Sequence, residues 1–297
     1  MTSDVGSRSP WAEEAYNLVR AAAGGLLFGV PLLYTMEVWW IGSHTTPQQM
    51  LLILALLFVI LVALNATAGF RTTRDVGASE IVEDSVKALA VGLVVTAVVL
   101  VLLRQITRES PMQLALGRMI NESIPFCLGI GVARLLLHGD PGVTDDNDGD
   151  DEDDEDDDGP ADAAPQSLDS TAGDIAATAL GAAFIGLSIA PTDEVPLLAS
   201  AMSPAWLIVL MFASLLTSYA VVFVAGFAGQ DRRRQQSGPF QHPLTETVMT
   251  YLIALVVAAG LLWTFQRDLG PPSDLLARVV VLGLPAAVGG AAGRLAL

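Results

Sequence analysis

Two stretches of this chain set a proline, a threonine and a glutamate in the same order. Pro31-Leu32-Leu33-Tyr34-Thr35-Met36-Glu37-Val38 is answered by Ala190-Pro191-Thr192-Asp193-Glu194-Val195-Pro196. A proline inside a helix withholds a backbone donor and frees carbonyls upstream. Thr35, Glu37, Thr192, Asp193 and Glu194 would then stand beside a loosened backbone, and carboxylates on broken helices are one way membrane proteins build cation or proton sites. A second set is Arg118, Asn121 and Glu122, with Arg278 further on. Arg118 and Glu122 are four residues apart and share a helix face, so they can pair. The plainer readings stand beside these. Glu37 and Glu194 can mark helix ends, with Trp39 and Trp40 as interfacial anchors, and Arg118 with Glu122 can be a structural ion pair.

These motifs belong to a longer repetition. At a shift of 157, Gly24, Gly29, Thr35, Glu37, Val38, Ser43, Pro47, Gly69 and Phe70 recur as Gly181, Gly186, Thr192, Glu194, Val195, Ser200, Pro204, Gly226 and Phe227. At a shift of 160, Pro111, Leu116, Arg118, Pro125, Gly129, Arg134 and Leu135 recur as Pro271, Leu276, Arg278, Pro285, Gly289, Arg294 and Leu295. The sequence therefore reads as a duplicated unit. The copies differ at Glu122 against Leu282 and at Met36 against Asp193. With no counterpart to Glu122, Arg278 is free to answer a carboxylate from another helix, Glu37 and Glu194 being the candidates. A third set, Gly129, Gly131 and Ala133 against Gly289, Gly290 and Gly293, lets helix backbones approach closely. It is expected to place the fourth and eighth helices near the pseudo-symmetry axis.

Positioning these groups takes membrane helices. The chain has 297 residues, is 52% hydrophobic and only 16% charged, and has a mean hydropathy of +0.53, too apolar for an ordinary water-soluble domain. A span needs about 20 apolar helical residues. Eight such runs are expected: 21–43, 50–69, 86–103 and 114–137, then 175–198, 205–226, 247–263 and 275–297. They show no period-2 alternation, which argues against a barrel. The fold class expected is all-α, a polytopic membrane protein of two parallel four-helix repeats, 1–137 and 174–297, joined by a linker at 138–173. Arg20 ahead of a short apolar run also fits a secretory signal peptide; the matching run at 175–198 lies deep in the chain, so the first helix is expected to be retained. Ten of the fifteen Lys and Arg residues fall on the side of the N-terminus if it is inside, which places both termini in the cytoplasm of a plasma-membrane protein. Arg71 and Arg74 correspond to Arg232, Arg233 and Arg234, so equivalent loops are both basic and the repeats read as parallel rather than inverted.

The net charge of −17 is local. Sixteen of the 32 acids lie between Asp140 and Asp174, a stretch without Lys or Arg. It reads as a disordered, hydrated cytoplasmic spacer, with cation binding or regulation as the functional alternative. One lysine among the bases and an acid-rich surface suit a salt-accumulating halophile. The lone Cys127 permits no intrachain disulfide and reads as packing. His44, His138 and His242 show no metal-ligand spacing, and there is no P-loop, nucleophile elbow or dinucleotide fingerprint. Asn65 and Asn121 match the glycosylation pattern inside expected spans and are chance matches. No cofactor, metal or nucleic-acid partner is expected.

The stretch Gly25-Leu26-Leu27-Phe28-Gly29-Val30-Pro31 through Trp40, with Ala190-Pro191-Thr192-Asp193-Glu194 and Gly283-Leu284-Pro285-Ala286-Ala287, resembles an uncharacterised family of integral membrane proteins found in halophilic archaea and several bacterial lineages. The resemblance covers nearly the whole chain outside the acidic linker. It implies a membrane protein and brings no activity or catalytic residues with it. Two readings follow. One is a small cation or proton transporter or channel, with Glu37, Glu194, Asp193, Thr35, Thr192, Arg118, Arg278 and Glu122 along its path. The other is a non-transport scaffold, sensor or assembly partner in which the same charges hold helices together. An intramembrane enzyme ranks below both. The partners expected are the lipid bilayer, a cation or proton under the first reading, and a second copy or another membrane protein under the second.

Overall fold

A computed structural model describes residues 10–71, 77–137, 164–224, 243–268 and 270–295. Among them every regular element is helical: α1 Pro10–Leu33, α2 Met36–His44, α3 Pro47–Arg71, α4 Ala78–Leu102, α5 Met112–Leu137, α6 Ala164–Ile189, α7 Glu194–Ser200, α8 Pro204–Tyr219, α9 Pro243–Thr264 and α10 Pro272–Leu295. A π-helical turn, Ala220–Val224, continues α8. Helices α1, α3, α8, α9 and α10 all open on proline, where the missing N–H costs nothing because the first-turn donors have no intrahelical acceptor. Ser203 caps α8 by accepting from the Trp206 N–H at 3.3 Å.

Six helices are long and apolar enough to cross a membrane, and the bent pair α6 and α7 makes a seventh if taken as one span. Helix α5 is not among them, although it runs 26 residues. Arg118, Asn121 and Glu122 lower its apolarity, so the count of eight expected from sequence is not reached on length and apolarity alone. The outside of the bundle is where the apolar surface lies: Leu51 and Leu52 on α3, Phe184 on α6, Phe212 on α8 and Val256 on α9 are all exposed. Inside are Ser85, Thr96 and Ser214, each donating its hydroxyl to a carbonyl one turn back on its own helix, Ile81, Gly92 and Leu210, at 2.7–2.8 Å. Apolar residues outside and satisfied polar ones within is the distribution a lipid solvent selects.

The sixth helix begins at Ala164, so residues 164–173, expected in the linker, are helical; Pro165 sits in the first turn, where it is tolerated. The acidic run at 140–158 lies outside the described residues.

In the N-terminal and C-terminal halves of the chain one helix gathers the others. Helix α5 packs against α1, α2, α3 and α4, and α10 packs against α6, α7, α8 and α9. Small residues make this close approach possible. A Cβ on Gly181 or Gly289 would collide with the backbone carbonyl of the other, one on Gly293 with the Ala177 carbonyl, and one on Gly24 with Ala133. The glycines thus bind α6 to α10 and α1 to α5. Across the halves it is α1 that meets α10 and the π-turn. Val30, Leu33, Phe126, Ile189, Leu198 and Leu284 share one core with residues of both halves. Seventy-two per cent of the α10 span is buried, against 44% or less for the other five, so α10 is the most enclosed of the six.

Replacing Gly289 by Ala is therefore expected to cost about 1–3 kcal/mol, because neither backbone can yield. Gly260→Ala, where an added methyl meets nothing within 4 Å, should instead stabilise by about 0.5–1 kcal/mol, because alanine loses less backbone freedom than glycine in a helix interior. Thermal unfolding of the purified protein in detergent measures both.

Candidate functional site

The two Pro-Thr-Glu motifs both sit where a helix breaks, at the same end of the bundle. The first break falls at Tyr34 and Thr35, downstream of Pro31, which α1 carries inside its helix. Thr35 is extended, with φ −122 and ψ 102, and α2 begins after it. The break leaves carbonyls that need donors. Trp39 Nε1 donates to Leu33 O at 2.8 Å, so Trp39 is buried and structural, and only Trp40 stays exposed as an interfacial residue would. Tyr34 reaches into the other half, its hydroxyl donating to Val281 O at 2.7 Å. That carbonyl lacks its helical donor because the residue four positions on is Pro285. At the second break the chain turns by 89° between α6 and α7, and Thr192 Oγ1 donates to Ile189 O at 2.7 Å.

The paired glutamates have different environments. Glu194 is buried and its Oε1 accepts the Met36 N–H at 3.2 Å. A carboxylate at a helix N-terminus satisfies a donor that has no intrahelical acceptor and complements the helix dipole. Glu37 is exposed. The two are brought to the same end of the bundle but to opposite conditions, one buried and engaged across the halves, the other at the surface.

Arg118 and Arg278 do one job in two places. Helix α4 ends with Arg104 at φ 61, its N–H donating to Val101 O and the Gln105 N–H to Leu100 O; after α9, Gln266 has φ 55, with N–H bonds to Trp263 O and from Arg267 to Leu262 O. Both are Schellman endings without the usual glycine. Arg118 Nη1 donates to Gln105 O at 2.7 Å, and Arg278 Nη1 to Arg267 O at 2.6 Å. Each arginine thus ties down the carbonyl just past its helix end. The expected Arg118–Glu122 pair does not form: Arg118 is turned to Gln105 and, through Nε, to Ser43 Oγ at 3.0 Å. Beside this Arg278 contact, Glu194 is engaged with the Met36 N–H and Glu37 is exposed. Asp193 joins the same rim through Arg267, at 2.7 Å, and Arg267 also donates to Pro191 O. With Asp193 79% exposed this pair contributes little to stability. Met36, Asp193, Arg267 and Arg278 line a cavity of about 650 Å³.

Glu122 stands apart. Only 1% exposed, it has an Oε1 with no hydrogen-bond partner. It lines a cavity of about 580 Å³ between α1, α2 and α5, together with Thr35, Asn121 and otherwise apolar side chains. Pro125 withholds the helical N–H from the Asn121 carbonyl beside it.

Some polar contacts were not foreseen. At the opposite end of the bundle Arg294 binds Glu246 at 2.7 Å, Asp174 at 2.9 Å and Thr250 Oγ1 at 3.2 Å, and both Arg294 and Glu246 are buried. Glu246 and Arg267 carried no motif. Their partners lie 48 and 74 positions away, so only the fold brings them together. Trp206 likewise crosses the halves, Nε1 donating to Leu102 O at 2.7 Å with Arg104 5.3 Å from its ring centroid. Among the described residues no group of His, Cys, Asp or Glu is arranged to hold a metal ion.

The match to a family model is almost complete along the chain, over residues 17–297. The chain belongs to the DUF2391 family, described as a putative integral membrane protein family. No match is found among curated proteins or solved structures. The membrane assignment thus rests on the family and on several long apolar helices together.

Glu194→Ala should lower stability by about 0.5–2 kcal/mol through loss of the α2 cap, Glu194→Gln less, since an acceptor oxygen remains. Glu37→Ala should change it by no more than about 0.5 kcal/mol. Denaturation monitored by Trp fluorescence in detergent reads all three.

Proposed function

We propose that this is a multi-pass protein of the cell membrane, with α5 completing eight spans in two parallel four-helix halves and both termini cytoplasmic. We read it as non-enzymatic and non-transporting, a scaffold, sensor or assembly partner whose intramembrane charges hold helices in place. The observation that carries this reading is the use of Glu194: the carboxylate caps α2 through the Met36 N–H, while Glu37 is exposed. A cation path built on the pair would need both to face shared polar space. Arg118 and Arg278 add support, since each is bound to a helix-end carbonyl. The acidic stretch retains its reading as a hydrated spacer suited to a salt-accumulating cell. The partners are the bilayer and a second copy or another membrane protein.

A second reading, a small cation or proton transporter or channel, is favoured by one observation: the unpartnered, buried oxygen of Glu122. Reconstitution into liposomes with proton- and ion-sensitive dyes separates the two. The first reading expects wild type and the Glu37→Gln/Glu194→Gln variant to match empty vesicles. Flux in wild type above that background, abolished in Glu122→Gln, would sink it and establish the second.

A further inference from the structure

Glu122 has no counterpart in the other half, where Leu282 stands, and the groove it lines opens between α1, α2 and α5. The walls are apolar: Phe28, Leu32, Ile124, Leu128 and Val132. Phe28 and Leu32 are themselves exposed on the outer surface of α1, so the groove communicates with the lipid-facing side. A carboxyl with an unsatisfied oxygen in such surroundings is costly, and the nearest cation on its own helix, Arg118, is committed to Ser43 and Gln105. The groove therefore offers an apolar trough ending in one unfilled acceptor.

We propose that this groove is a binding site for a lipophilic ammonium compound, a hydrophobic amine that enters from the membrane. Its apolar body lies along Phe28, Leu32, Leu128 and Val132, and its N–H groups bond the Glu122 carboxylate, with the Asn121 backbone carbonyl, deprived of its helical donor by Pro125, as a second acceptor. Two facts select this class over a bilayer lipid headgroup. Glu122 lies ten residues into α5, about 15 Å along the helix axis, among apolar side chains rather than at a helix end. The volume, about 580 Å³, falls in the range of about 300–1,000 Å³ that holds a compact drug-sized molecule, and does not accommodate a two-chain lipid. A cation is selected over a neutral amphiphile because the unmet oxygen belongs to an acid, and Arg118, the arginine one turn away, gives its hydrogen bonds to Ser43 and Gln105 instead. The site goes beyond the scaffold or sensor reading and does not depend on it, since binding needs no flux.

The test uses the full-length protein in phosphatidylcholine nanodiscs, with radiolabelled dodecylammonium as probe and empty nanodiscs subtracted. A saturable component is expected, at least tenfold weaker in Glu122→Gln, unchanged in Glu37→Gln, and at least tenfold weaker for dodecanol. Leu128→Phe, which fills the trough and leaves the carboxyl in place, is expected to abolish it and guards against a folding defect in Glu122→Gln; monodisperse elution checks both variants. The proposal is overturned by the absence of a saturable component, by equal affinity in a folded Glu122→Gln, by equal binding of dodecanol, or by loss of the signal when phosphatidylethanolamine is included, which would assign the groove to a lipid headgroup.

Discussion

Water is missing from the hydrocarbon core, so a carbonyl released by a proline or a helix break must find its donor in the protein. Most of the polar architecture follows from that requirement. Trp39 serves Leu33, Tyr34 serves Val281, Thr192 serves Ile189, and Arg118 and Arg278 serve the carbonyls just past α4 and α9. Side chains that look like a chemical site in sequence are in large part donors to the backbone. The breaks persist because these donors surround them, and the donors stay fixed because α5 and α10 hold every other helix of their half.

That arrangement also joins the halves. Tyr34 to Val281, Met36 to Glu194 and Trp206 to Leu102 all cross at the end of the bundle where the breaks lie. At the other end the π-turn 220–224 meets Ala23 and Ala291 in a small apolar cluster. One seam is polar and directional, the other apolar and shape-dependent. The polar seam is not symmetric. Glu194 caps Met36, whereas the residue corresponding to Met36 is Asp193, which turns outward to Arg267.

How much of this could be read in advance differs from residue to residue. Apolar runs of span length and the burial of Cys127 were legible, because a bilayer imposes its thickness and polarity on composition directly. The helix breaks were legible in kind but not in place: Pro31 pointed upstream, and the chain broke at Thr35. The glycine pattern indicated close packing and left the partner open, since small residues state that a helix comes near and not which one. Arg118 with Glu122 looked like a pair at the right spacing; the helix-end carbonyl at Gln105 offered Arg118 a better acceptor than the sequence could reveal.

What the sequence alone determined is the solvent and the inventory: a membrane chain of apolar helices with a few costly polar groups at corresponding positions. Tertiary structure alone decided which of those groups are spent. Glu194 and Glu37 are one residue type in one motif, and only the placement of α2 against the second half makes the first a cap and leaves the second at the surface. Glu122 is separated from the rest by the same means. A side chain's partner is set by distances across the fold, and contacts between residues more than a hundred positions apart, such as Trp206 with Leu102, leave no local trace in the chain.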